Sequence, residues 1–345
     1  MKRKKLHLAL QGGGAHGAFT WGVLDRLLDE EKLAIDGVSG ASAGAVNAVL
    51  LVDGLARGGP REAEKRLADF WRATSRDGSL SNSERAVVDR LFWFMPMAGS
   101  PLQSWYEAWS QVFSPYDLNP LNLNPLRDLI ERFVDFEAVR KAKNPLFVSA
   151  TNVQTGKLRV FSREQMSADV IAASACLPQL FRAVEIDNVP YWDGGYVGNP
   201  TLFPLFQKTD SDCTDVLIVQ INPLERTGTP TSHKDIMNRV NEVTFNSSLL
   251  SELREIALVS RLIEAGQVTC GTGKNEYRRI NVHRIVLGTS MGLDADSKLN
   301  NDYDFFLTLR KAGVRAARRF LDAHFDDIGV KSTVDLDAEV QAEWG

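Results

Sequence analysis

The chain has 345 residues, 40 Lys and Arg against 44 Asp and Glu, and a net charge of −4. That length can bury one large core or two modest ones, and the near-balance of charge excludes bulk nucleic-acid binding. The sequence has no run of about 18 apolar residues, the length that predicts a membrane span. Cys176, Cys213 and Cys270 form neither a C-x-x-C pair nor a disulfide framework, which suits a reducing cytoplasm.

The start, Met1 to Lys5, is basic, and the apolar run after it is too short for the core of a signal peptide. That run, Leu6 to Leu10, predicts a strand. It feeds Gly12-Gly13-Gly14-Ala15-His16-Gly17 and then a helical pattern. The arrangement repeats at once. Ile35 to Val38 reads as a strand, Gly40-Ala41-Ser42-Ala43-Gly44 as a tight turn, and Ala45 to Leu51 as a helix. Ser42 therefore sits where a strand turns sharply into a helix. Glycines two positions to either side permit the bend, and the positive end of the following helix lies beneath the hydroxyl. Such a serine suits acyl transfer. The glycine triplet offers backbone N–H groups that a substrate carbonyl can approach closely, as an oxyanion requires.

A rival reading of the first segment is dinucleotide binding. Gly12, Gly14 and Gly17 fit G-x-G-x-x-G, and Asp36 stands about where a ribose-binding acid belongs. It leaves the Ser42 turn unexplained.

Further along, Arg61 to Ser75 has helical spacing. An aromatic stretch then runs from Leu91 to Phe113, with Phe92, Trp93, Phe94, Trp105, Tyr106 and Trp109. Aromatics at helical spacing more often build a core, but this composition also fits an acyl-chain pocket or a lid at a lipid interface. Asn119 to Pro125 reads as a loop, Leu146 to Ala150 as a buried strand, and Gln154 to Lys157 as a hairpin turn into Leu158 to Phe161. Ala168 to Ala175 is helical. Strands are predicted at Val216 to Ile221 and Ile280 to Leu287, and helices at Asp235 to Ala265 and Phe305 to Phe320. This alternation predicts an α/β layered fold with a mainly parallel sheet. No Gly/Ser/Pro linker marks a boundary, so the tail beyond Phe206 is expected to complete the sheet and pack on it.

The base is the remaining question. None of the five histidines, His7, His16, His233, His283 and His324, stands in a context that marks a triad member. Tyr191-Trp192-Asp193-Gly194-Gly195-Tyr196 stands out instead, an aspartate between aromatics and two glycines. Taken alone it would be a D-G hairpin turn.

Together the three elements resemble the patatin-like phospholipase family, over about the first 205 residues. The text from Ala175 to Pro178 is also typical of it. The resemblance implies a three-layer α/β/α fold with a mainly parallel central sheet. It implies a hydrolase domain over 6–205 and a C-terminal extension over 206–345. Ser42 would be the nucleophile, framed by Gly40, Ala41, Ala43 and Gly44. Asp193 would be the base, in a turn with Gly194 and Gly195. Gly12, Gly13, Gly14, Ala15, His16 and Gly17 would form the oxyanion hole. One position departs, because the family loop usually carries Arg or Lys where this chain has His16.

The implied activity is cleavage of a lipid or acyl ester with no metal or organic cofactor. The expected setting is the cytoplasm, with peripheral contact at the inner membrane face and no nucleic-acid partner. Desolvation would raise the aspartate from its usual pKa of about 3.9 and make it a better base. Two alternatives stay open from the residues, acyl transfer on the same dyad and a lipid-binding protein that hydrolyses nothing. Oligomeric state is not legible.

Overall fold

The computed structural model describes residues 3–75, 114–119, 122–207, 211–226, 228–271, 277–288, 291, 293 and 296–341. The aromatic stretch Leu91 to Phe113 lies outside the described residues. Among the described residues eight strands form one sheet: β1 Lys4–Leu10, β2 Leu33–Gly40, β3 Leu146–Asn152, β4 Leu158–Ser162, β5 Val184–Ile186, β6 Val189–Asp193, β7 Asp215–Gln220 and β8 Asn281–Val286. The order is β5-β6-β3-β2-β1-β7-β8, with β4 also paired to β3. The central pairs β3-β2, β2-β1, β1-β7 and β7-β8 are parallel, while β4, β5 and β6 join in antiparallel fashion.

Side chains alternate across a strand, and here both faces are apolar. Leu6, Leu8 and Leu10 of β1, with Leu217 and Val219 of β7, enter one core beside Phe19, Trp21 and Leu50. Ala9, Val216 and Ile218 enter a second core with Leu205, Leu249 and Leu253. A parallel sheet covered on both faces needs near-continuous apolar strands, which is why these runs were recognisable. Helices α1 (Gly17–Leu28) and α2 (Ala43–Gly58) follow β1 and β2 and cover the first face. The long helix His233–Glu264 contributes Leu249 and Leu253 to the second. Strands β7 and β8, from beyond residue 206, extend the same sheet on the free side of β1.

One register relation governs the rest. Strand β2 runs beside the first half of β3 and stops at Gly40, opposite Val148. Strand β6 then takes over the second half of β3 and stops at Asp193, opposite Ala150. Two chain ends 153 positions apart therefore meet on one edge of one strand.

Candidate active site

Ser42 follows β2 and precedes α2, with φ 53° and ψ −126°. A non-glycine residue at positive φ stores strain of about 1–3 kcal/mol that the surroundings must hold. They hold it by close packing. The Ser42 N–H donates to Ser174 Oγ at 2.9 Å. Gly44 lies so near the Leu10 carbonyl that no Cβ would fit, and a Cβ on Gly12 would stand 2.5 Å from Ser42 Cβ. Gly40 and Ala41 lead into the turn, and Ala43 opens α2. Ser42 keeps 8% of its surface exposed, so it remains reachable at the positive end of a four-turn helix.

Asp193 is fully buried. Its Oδ1 accepts the Gly195 N–H at 2.7 Å, and the Thr151 hydroxyl donates to its carbonyl at 2.7 Å. Its Oδ2 makes no full hydrogen bond, although the Ser42 hydroxyl lies near enough to draw the pKa down. Burial outweighs that pull and the Gly195 bond, and raises the carboxyl to about 7. Gly194 presses against the Ser149 carbonyl, and Gly195 against the ring of Phe245. Tyr191 is buried and packs on Phe161 at 5.4 Å. The turn after Asp193 is a short 3-10 stretch, Gly194–Tyr196, with the carboxylate as its cap, and not a hairpin.

The glycine loop lies beside Ser42. Gly14, Ala15 and His16 form a single 3-10 turn before α1, and a Cβ on Gly17 would meet Ala43 Cβ at 2.9 Å. The two helix starts thus converge. Asn47 ties them, donating to the Gly17 carbonyl at 3.0 Å while accepting from Trp71 Nε1 at 3.0 Å. The loop amides differ. Gly12 N–H is donated to Asn199 Oδ1 at 2.6 Å, whereas Gly13, Gly14 and Ala43 donate to no acceptor among the described residues. His16 is buried, with Nε2 at 2.7 Å from Ser297 Oγ.

A polar lattice that sequence reading missed holds this loop. Gln11 donates to Asn246 Oδ1 at 3.0 Å and accepts from the N–H groups of Ile221 and Asn222, each at 3.0 Å. Asn222 Nδ2 donates to the Gly12 carbonyl at 2.7 Å, and Lys298 Nζ donates to Asn222 Oδ1 at 2.7 Å. Asn199, six residues past Asp193, joins the same lattice, its carbonyl accepting from Gln11 Nε2 at 3.2 Å.

Competing groups stand elsewhere. Asp36 lies four residues before the end of β2, paired with Lys5 at 3.6 Å and bonded by Ser211. It therefore lies midway along β2, short of the strand end that adjoins the glycine loop, which removes the ribose-acid role. His7, Asp36 and Cys213 bring their donor atoms within 4.8 Å of one another at this point of the sheet. There Lys5 already pairs with the carboxylate, and burial pushes the Cys213 thiol up to about 12. A cavity of about 710 Å³, lined by Asp36, Leu146, Ser162 and Phe203, opens beside this group, and Ser42 is not in its lining. Cys176 accompanies Asp193, accepting its N–H through the backbone at 2.8 Å. Burial pushes that thiol up to about 12, so it stays protonated. His283 is a buried partner of Asp215 at 2.9 Å, and His324 pairs with Asp327 at 3.0 Å.

The sequence model of the patatin-like phospholipase family matches residues 8–206. The chain belongs to the patatin-like phospholipase family. The matched span runs from β1 past Asp193 and includes Ser42 and the glycine loop. Among solved structures, VipD from Legionella pneumophila is similar at 17% identity and a TM-score of 0.37, over 91% of this chain and 67% of that one. The type III effector ExoU is similar at 15% identity and a TM-score of 0.41, over 96% of this chain and 54% of that one. The complex of SpcU with ExoU from Pseudomonas aeruginosa gives 14% identity and a TM-score of 0.31. This chain thus spans about half of the ExoU chain. A search of curated proteins finds no match. Among the described residues no helix is long and apolar enough to cross a membrane.

Proposed function

We propose that the protein is a lipid acyl hydrolase in which Ser42 and Asp193 form a catalytic dyad and an acyl-enzyme forms on Ser42. One observation carries the reading. A serine strained at the head of a helix faces a fully buried carboxyl whose pKa stands at about 7. A base poised near the operating pH is the arrangement general catalysis favours.

In the first step Ser42 Oγ attacks the ester carbonyl carbon while Asp193 Oδ2 takes the hydroxyl proton. The carbonyl oxygen becomes an oxyanion, and the uncommitted amides of Gly13, Gly14 and Ala43 are its donors. One such donor is typically worth about 2.7–4 kcal/mol of barrier. Gly12 serves differently, because its amide is given to Asn199. Collapse expels the alcohol, which receives the proton held by Asp193. Water then repeats the sequence, losing a proton to Asp193 as it attacks the acyl-enzyme, and Ser42 recovers its proton on release of the acid. An imidazole is not needed, since an alkoxide leaves more readily than an amide nitrogen. The family assignment supports lipid acyl esters as the substrate class.

The test is turnover of a short soluble acyl ester and of phospholipid vesicles by the wild type, Ser42→Ala and Asp193→Asn. Both variants should lose turnover of both substrates while keeping the wild-type circular dichroism spectrum. Wild-type rates in either variant would contradict the dyad.

A further inference from the structure

We propose that Lys298 is a positioning residue of the same reaction, strapping the glycine loop from the far end of the chain and setting an ammonium charge behind the oxyanion amides. The proposal rests on the hydrolase reading above and adds a component to it.

The loop from Gln11 to Gly17 carries no fixed charge of its own. The short segment Asp296–Leu299 supplies one from outside. Lys298 Nζ donates to Asn222 Oδ1 at 2.7 Å, and the same Asn222 amide donates to the Gly12 carbonyl at 2.7 Å. That Oδ1 also stands 3.6 Å from where a Cβ on Gly13 would lie. The ammonium is therefore one side-chain oxygen from the peptide that carries the uncommitted amides. The backbone of Lys298 makes a second hold. Its carbonyl abuts Gly14 so tightly that a side chain there would collide, and Gly14 adopts φ +58°. Ser297 makes the third, with its hydroxyl 2.7 Å from His16 Nε2. The two-residue strap thus meets the loop directly at Gly14 and His16, and reaches Gly12 through Asn222.

The charge around Lys298 favours a field that reaches the loop. Glu242 is the carboxylate that attracts it, but Glu242 is itself held by Arg226 at 2.7 Å and Arg239 at 3.2 Å. Burial, helped by Arg226, lowers the Lys298 ammonium to about 8. It is charged at neutral pH and loses that charge just above. A fixed cation in a poorly solvated site stabilises negative charge that appears only in the transition state, so its loss should act on kcat more than on KM.

The experiment uses the full chain, with Lys298→Met and Lys298→Arg, a short acyl ester, and rates from about pH 7 to 9.5. Hydrogen exchange of the peptide spanning Gly12 to Gly17 and melting temperature are read alongside. Lys298→Met should lower kcat by at least about tenfold with little change in KM, and should speed exchange in the loop peptide. Lys298→Arg should restore most of kcat and abolish the decline that the wild type shows above about pH 8. Wild-type kcat and exchange in Lys298→Met would overturn the proposal. So would a loss that Arg does not rescue and that follows the melting temperature, since that is the mark of a merely structural residue. If the wild type turns over no ester, or Ser42→Ala does so equally, the hydrolase reading fails. The exchange arm then still decides the strap, because unchanged protection in Lys298→Met refutes it.

Discussion

Replacing Asp193 by Asn should abolish turnover and at the same time stabilise the protein at neutral pH. The carboxyl is fully buried, and its folded pKa of about 7 lies above the ordinary aspartate value of 3.8. The folded state therefore holds the proton more tightly than the unfolded chain does. Stability from this group is fully present below the unfolded pKa and falls as pH rises through 7. At about 1.36 kcal/mol per pH unit the full penalty above pH 7 is on the order of 4 kcal/mol, an upper figure because relaxation reduces it. Asn carries no charge. It can keep the Gly195 N–H on its Oδ1 and offer Nδ2 toward Ser42, so it escapes the penalty without opening a cavity. Urea unfolding of both proteins at about pH 5 and pH 8 isolates the effect, because the other titrating groups are common to the pair. The advantage of Asn should be larger at pH 8 than at pH 5 by roughly 3 kcal/mol, the interval over which only the folded wild type deprotonates. A variant less stable than the wild type at pH 8, or a difference independent of pH, would refute the reasoning about the buried carboxyl.

Two further outcomes follow from the same geometry. The value of kcat/KM should rise with pH along an apparent pKa near 7, because Asp193 acts only when ionised; a profile flat from about pH 5 to 8 would count against it as base. Gly12→Ala should cut turnover by about 10²-fold or more and cost roughly 1–3 kcal/mol of stability, since its Cβ would stand 2.5 Å from Ser42 Cβ and 2.7 Å from the Ala41 carbonyl. Near-normal kinetics in that variant would mean that the loop and the serine are not packed as described.

Much of the fold was readable because a sheet covered on both faces writes itself as apolar runs. Leu6 to Leu10 and Val216 to Ile221 needed no tertiary information to be seen. The turn at Ser42 was equally local, since its glycines exist to let backbones touch. What brings Ser42 and Asp193 together was not local. It depends on β2 and β6 sharing one edge of β3, with Gly40 opposite Val148 and Asp193 opposite Ala150, and no spacing within either motif encodes that register. The same holds for Gln11, Asn222 and Lys298, single polar residues in loops whose partners lie about 200 positions away or are reached only through another loop. Asp36 shows the converse. Its distance from the glycines fitted a ribose-binding acid, yet it stands midway along β2, where Lys5 pairs with it.

The central claim is that Ser42 is the nucleophile. Its most direct test is to treat the full-length protein with a fluorophosphonate and map the adduct by peptide mass spectrometry. One adduct is expected, on Ser42, absent from Ser42→Ala and formed far more slowly in Asp193→Asn. An adduct on another residue, or none in a preparation that turns over a short acyl ester, would contradict it.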